Sequence, residues 1–226
     1  QGVADVINNQ PFVDKSKTKV VNKGHSLEWY KDIVPLDVKK EFNLPDDAFV
    51  VINVANNRRM KGIPYLMKAM NMLPPGLPIH LLLIGGNMDT KANLSLIESG
   101  GYKNNVHFAG FRDDVLNIVA ASDVFASASI KGESITKSII EAMSLEVAPI
   151  ITDIPGNVEL CDHEDSGLVV KMKNPKELSN AILRLYNDRD LCKKLATNAK
   201  ARIGSFLNTE RSIKEMKEFY DELMAE

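Results

Sequence analysis

Two carboxylates in the stretch KGESITKSIIEAM, residues 131–143, stand eight positions apart: Glu133 and Glu141. At about 100° per residue they would point roughly 80° apart on one continuous helix, so they are not a helical pair. Ile139, Ile140 and Met143 make the core face of a helix that leaves Lys137, Glu141 and Ser144 on the other side. Helical side chains lean toward the N-terminus, so Glu141 projects back over the first turn, and Glu133 reaches the same space from the preceding loop. Such a pair would flank a ligand seated at the helix start. Local accounts without a ligand exist as well. Ser138 to Glu141 fits a capping box, Lys137 with Glu141 fits an i,i+4 ion pair, and Glu133 would complement the helix dipole.

Two further loops carry residues suited to an anion. NVANNRRMKGI, residues 53–63, places Arg58, Arg59 and Lys61 after an apolar run and before a helix starting near Gly62. Cations there would face a bound anion together with helix N-terminal amides. LLLIGGNMD, residues 81–89, supplies Gly85 and Gly86, which permit a close backbone approach or a tight turn. The spacing is not that of a dinucleotide fingerprint, and no acidic residue stands at the distance expected for a dinucleotide ribose, which disfavours a nicotinamide dehydrogenase. Taken alone, the first loop fits a solvated basic loop better than a binding site, and the second is often only a turn.

The elements that must position these loops follow from periodicity. Apolar, β-branched runs at 49–54, 79–84, 106–108, 124–126, 148–151 and 168–170 are each followed by a segment of helical period. Continuous apolar strands alternating with helices predict an α/β fold, a doubly wound, Rossmann-like parallel sheet with ligands beyond the carboxyl ends of its strands. KVVNK, residues 19–23, predicts one more strand near the start, and PLDVKKEFNLPDD a short helix. Helices are expected over 175–187, 189–203 and 209–225. In the last, Ile213, Met216, Phe219, Tyr220 and Leu223 make an apolar stripe expected to pack into the core. With no repeat or Gly/Ser linker, residues 1–226 read as one domain.

Composition limits the partners. Apolar residues make up 44%, charged residues 26%, and the net charge is −2, so no global field recruits nucleic acid or an anionic membrane. No apolar run reaches the length of a membrane span. Cys161 and Cys192 have no metal-ligand spacing and read as reduced thiols of a cytoplasmic protein. DHEDS, residues 162–166, reads as a solvated loop rather than a metal site. His80 and His107 fall inside strands and read as core or edge residues, and Trp29 and Tyr30 as core or interface aromatics able to stack on a sugar. The chain opens with Gln1, so its true N-terminus is expected to lie upstream.

In order and spacing, these segments resemble the donor half of family 4 glycosyltransferases of the GT-B fold, the glycosyl transferases group 1 domain. Glu133, seven residues and Glu141 are similar to that family's E-x7-E motif. INVANNRRMKGIPYLMKAM resembles its opening strand, basic loop and helix, and VHFAGFRDDVLNIVAASDVFASAS and APIITDIPGNVELCDHEDSGLVV its flanking segments. The resemblance covers residues 18 to 220 and implies a C-terminal donor-binding domain, with about 1–20 as linker or first strand, 175–226 as closing helices, and the N-terminal acceptor domain of the same polypeptide absent. It implies a retaining, metal-independent transfer from a UDP-, GDP- or ADP-sugar with no cofactor. It also allows peripheral contact with the inner membrane face through the missing half.

By the same resemblance, Lys61 and an arginine of its loop, Arg58 or Arg59, would neutralise the leaving phosphates. Glu133 would sit by the donor sugar and Glu141 would bind the ribose hydroxyls. The amides of Ile135, Thr136 and Lys137 would meet the diphosphate. The base would lie against Gly110, Phe111 and Arg112, largely through backbone contacts, with Gly85 and Gly86 also donor-binding. The sequence departs from the pattern at Asn56, where an arginine is common, and at Ser134 and Thr136, where glycines are usual. Glu146 stands where glycine ends the helix, and His25 lies in the segment that normally carries an acidic residue. A non-catalytic nucleotide-binding module, or a phosphorylase or epimerase on the same fold, are the alternatives.

Overall fold

The structure is a computed structural model that describes residues 9–12, 18–98, 100–131 and 135–225. Six strands form one sheet: β1 (Phe49–Val54), β2 (Ile79–Ile84), β3 (Val106–Gly110), β4 (Val124–Ser127), β5 (Ala148–Thr152) and β6 (Leu168–Val170). They run in the order β3-β2-β1-β4-β5-β6, and every pairing is parallel. The expected doubly wound α/β fold is therefore the observed one.

The strands read as unbroken apolar runs because both faces of the sheet are covered. Phe49 and Val51 of β1 enter one core, and Val50 and Ile52 enter the other. The first core is closed by α2 (Ile63–Asn71), α3 (Lys91–Glu98) and α7 (Pro175–Asn187). The second is closed by α1 (Val38–Glu41), α4 (Val115–Ala120), α5 (Lys137–Ser144) and α6 (Asn157–Leu160). The long helix α8 (Arg189–Phe206) serves both, with Leu195 in the first core and Ile203 in the second. Each fully buried Leu or Ile contributes about 1.5–3 kcal/mol relative to exposure, so this double cover is what fixes the sheet.

The order of strands reverses between β1 and β4, which opens a crevice outside their carboxyl ends. The loops singled out in the sequence, after β1, β2, β3 and β4, all lie at this end.

Three expectations change. KVVNK forms no strand. It is tied to the last helix: Asn22 O accepts from Ser212 Oγ at 2.6 Å and Lys19 pairs with Glu222 at 3.4 Å, while just beyond it His25 N donates to Leu207 O at 2.7 Å. The stripe on α9 (Thr209–Ala225) does not enter the core: Ile213 is 64% exposed and Tyr220 59%. Periodicity marks a face but not whether this chain supplies the surface that covers it. The capping box at Ser138 does not form either, since Thr136 is the N-cap of α5 and makes no side-chain cap bond. Both cysteines are free, as expected, and burial pushes the thiol of Cys161 up to about 11 and that of Cys192 up to about 12.

Candidate functional site

The loop after β1 turns through a short 3-10 segment, Arg59–Lys61, into Gly62, whose φ of 66° is left-handed. A Cβ on Gly62 would lie 1.9 Å from Ala128 O, so only glycine lets this loop press against the end of β4. Ile130 N donates to Met60 O at 2.8 Å and locks the contact, which sets the position of Lys61.

The loop after β2 is tied to its neighbours in the same way. Gly85, at φ 139°, has no room for a Cβ, which would meet Ala55 O at 1.9 Å. Its N–H donates to Gly110 O at 2.7 Å, and Ala55 N donates to Ile84 O at 3.0 Å. Gly86, by contrast, has nothing within 4 Å of an added Cβ and lies beside open space. After β3, Gly110 turns at φ 65° and leaves Phe111 81% exposed. Arg112 is braced by both oxygens of Asp114, at 2.8 Å each, and by Glu41 at 2.7 Å. Those bonds hold its guanidinium pKa above the ordinary range and commit its side chain to Asp114 and Glu41.

The fourth wall is the first turn of α5. Thr136 Oγ1 donates to Asn157 Oδ1 at 3.2 Å, and Asn157 is fully buried with its Nδ2 unpartnered. The i,i+4 pair is formed: Lys137 Nζ lies 3.0 Å from Glu141 Oε1, the lysine side chain 85% exposed and the carboxylate 15%. The side of α5 facing away from the core is partly covered by the segment around His25. Ser144, expected on the open side, is buried with its Oγ 3.1 Å from His25 Nε2. Burial, then Lys137 and Lys23, hold the His25 imidazole below its usual value. Tyr30 packs on the same ring at 5.3 Å; burial and then the charge of Glu141 push its phenol up to about 12.

These walls border a partly open cavity of about 320 Å³. Lys61, Gly85, Phe111, Arg112, Thr136, Lys137 and Glu141, all named from the sequence, line it together. Gly86, Gly110 and Ile135 border those residues in the chain without being part of the lining. Arg58 and Arg59 are exposed and are not part of it, whereas Asn56 is. Glu133 lies outside the described residues. Ser138 also lines the cavity; its fit to a capping box hid that role in the sequence. Asn157 was missed as an individual, because a buried amide inside PGNVEL gives no local signal. The arrangement offers cations and a helix start for an anion, a shielded carboxylate for hydroxyl donors, and an exposed ring for a planar group.

Among the described residues no group of three or more His, Cys, Asp or Glu side chains could hold a metal ion. The DHEDS acids are engaged elsewhere, Asp162 with Arg202 and Glu164 with Arg184. No described helix is long and apolar enough to cross a membrane.

The family model for glycosyl transferases group 1 matches residues 36–202. An uncharacterized glycosyltransferase of Methanocaldococcus jannaschii is 27% identical over 94% of this chain and 55% of its own length. An N,N'-diacetylbacillosaminyl-diphospho-undecaprenol alpha-1,3-N-acetylgalactosaminyltransferase of Campylobacter jejuni is 31% identical over 71% of this chain and 41% of its own. The crystal structure of Anabaena HepE in complex with UDP-glucose superposes with a TM-score of 0.81 at 23% identity, covering 93% of this chain and 59% of HepE. The chain thus spans about half the length of the curated relatives it matches. The six-stranded parallel frame, the loops that meet at its switch point and the span of the match agree: the chain belongs to the glycosyl transferases group 1 family.

Proposed function

We propose that the chain binds the nucleoside-diphosphate sugar for a retaining, metal-independent glycosyltransferase whose acceptor-binding half lies in the remaining polypeptide. The observation that carries this reading is that one cavity joins Lys61, the start of α5 and Glu141. Glu141, largely shielded from water, accepts from the ribose hydroxyls. The base lies along the Gly110–Arg112 turn, with Phe111 beside it. Lys61 and the α5 amides face the diphosphate.

In glycosyl transfer the bond from the sugar's anomeric carbon to the β-phosphate oxygen breaks, and negative charge grows on the departing phosphate. Fixed cations and helix amides stabilise that charge without reorganising, and losing one such group commonly costs about 3–4 kcal/mol of barrier. The positive charge comes from the protein's own side chains, which is the support for a metal-free transfer. Retention rests on the resemblance to family 4.

Calorimetric titration tests the reading. At least one of UDP, GDP and ADP should bind the 226-residue chain, UDP being the first choice because HepE carries UDP-glucose. Glu141→Ala should weaken that binding about tenfold or more, since a charged acceptor for the ribose is lost. EDTA should leave it unchanged. No binding by any of the three, or indifference to Glu141→Ala, overturns the proposal.

A further inference from the structure

The cavity holds one cation that the helix carrying it does not need. Lys137 is the first residue of α5, where a positive charge opposes the helix macrodipole. Its pairing with Glu141 also runs in the weaker direction, since i,i+4 pairs stabilise a helix more when the acid precedes the base. Helix stability therefore does not account for a lysine here.

The other basic groups near the cavity leave a place for it. Arg112 lines the cavity but is engaged by Asp114 and Glu41. Arg58 and Arg59 are exposed outside the lining, and neutral Asn56 stands inside it. Lys61 and Lys137 are then the lysines that line the volume, on the β1 loop and on α5. Lys137 is 85% exposed, so turning its ammonium costs little desolvation, whereas Glu141, 15% exposed, needs its charge compensated at all times.

We propose that the side chain of Lys137 is a second cation for the donor diphosphate, and that its ion pair with Glu141 exchanges partners on binding. The ammonium turns to the phosphates as the ribose hydroxyls take its place on the carboxylate. This rests on the nucleotide-sugar reading above. It makes the two halves of the ligand interdependent: a nucleoside without phosphates breaks the pair and offers the lysine nothing in return.

The test compares each diphosphate with its own nucleoside, UDP with uridine, GDP with guanosine and ADP with adenosine. Each pair is measured on the wild-type chain, Lys137→Met and Lys137→Arg, by calorimetry or, for weak binders, NMR titration. Lys137→Met should weaken the bound diphosphate about tenfold, as expected for a lost charge-assisted contact in a partly open site. It should leave the nucleoside unchanged or tighter, and Lys137→Arg should restore most of the diphosphate affinity. A lysine that only braced α5 or held Glu141 would change both ligands alike, and that outcome overturns the inference, as does an unchanged diphosphate affinity. If the wild-type chain binds no diphosphate, the proposed function itself falls and the inference with it.

Discussion

At the scale of single residues, the site depends on two glycines, Gly62 and Gly85, where a Cβ would strike a carbonyl oxygen. Gly62 combines a left-handed backbone with a missing Cβ that would otherwise strike Ala128 O at 1.9 Å. Gly62→Ala should destabilise the chain by about 2–4 kcal/mol, the sum of left-handed strain and overpacking against backbone. It should also weaken nucleotide binding, because the turn that places Lys61 must shift. Gly86→Ala is the control: with open space around it and no left-handed backbone, stability should stay within about 0.5 kcal/mol by urea denaturation. The sequence shows two glycines side by side at 85 and 86 and cannot tell the packed one from the open one, because the discriminating atom, Ala55 O, is thirty residues away. Lys137 and Glu141 are the opposite case. Their helical spacing announces the ion pair, and only the fold shows that Lys61 faces the same volume.

At the scale of elements, the central strands are legible because each is an apolar run buried on two faces, whereas the edge strand β3, mostly half-buried, shows only in its short VHF run. KVVNK misled for the same reason: two valines in a short run satisfy the strand pattern, but α9 supplied its partners. The edge pair β2–β3 holds a device unrelated to the site. His80 Nδ1 lies 3.1 Å from His107 Nε2, and Asn105 approaches His80 from the other side at 3.4 Å. Burial lowers both imidazoles, that of His107 to about 4, with His80 adding to the effect. The unfolded chain therefore binds more protons than the folded one below the usual value of 6.5. Stability should be complete above pH 6.5 and fall as the pH drops toward 4. His107→Leu should flatten that part of the profile, as followed by thermal melts across the range.

At the scale of the whole molecule, α9 leaves Ile213, Tyr220, Leu223 and Met224 at least half exposed along one helix. An apolar strip of this kind favours association, so the chain should elute from gel filtration as larger species with rising concentration. Replacing Ile213 and Leu223 with serine should suppress this without changing nucleotide affinity, since neither residue lines the cavity. The ligand end of the sheet has the reverse character. The loops after β1, β2 and β3 are joined edge to edge by Ala55 N to Ile84 O and Gly85 N to Gly110 O, so the floor of the cavity is assembled before any ligand arrives. Little conformational entropy remains to be lost there. Among the described residues, what remains to be ordered is chiefly the long side chain of Lys137 at the rim. Affinity changes among nucleotides should consequently show up in dissociation rates more than in association rates.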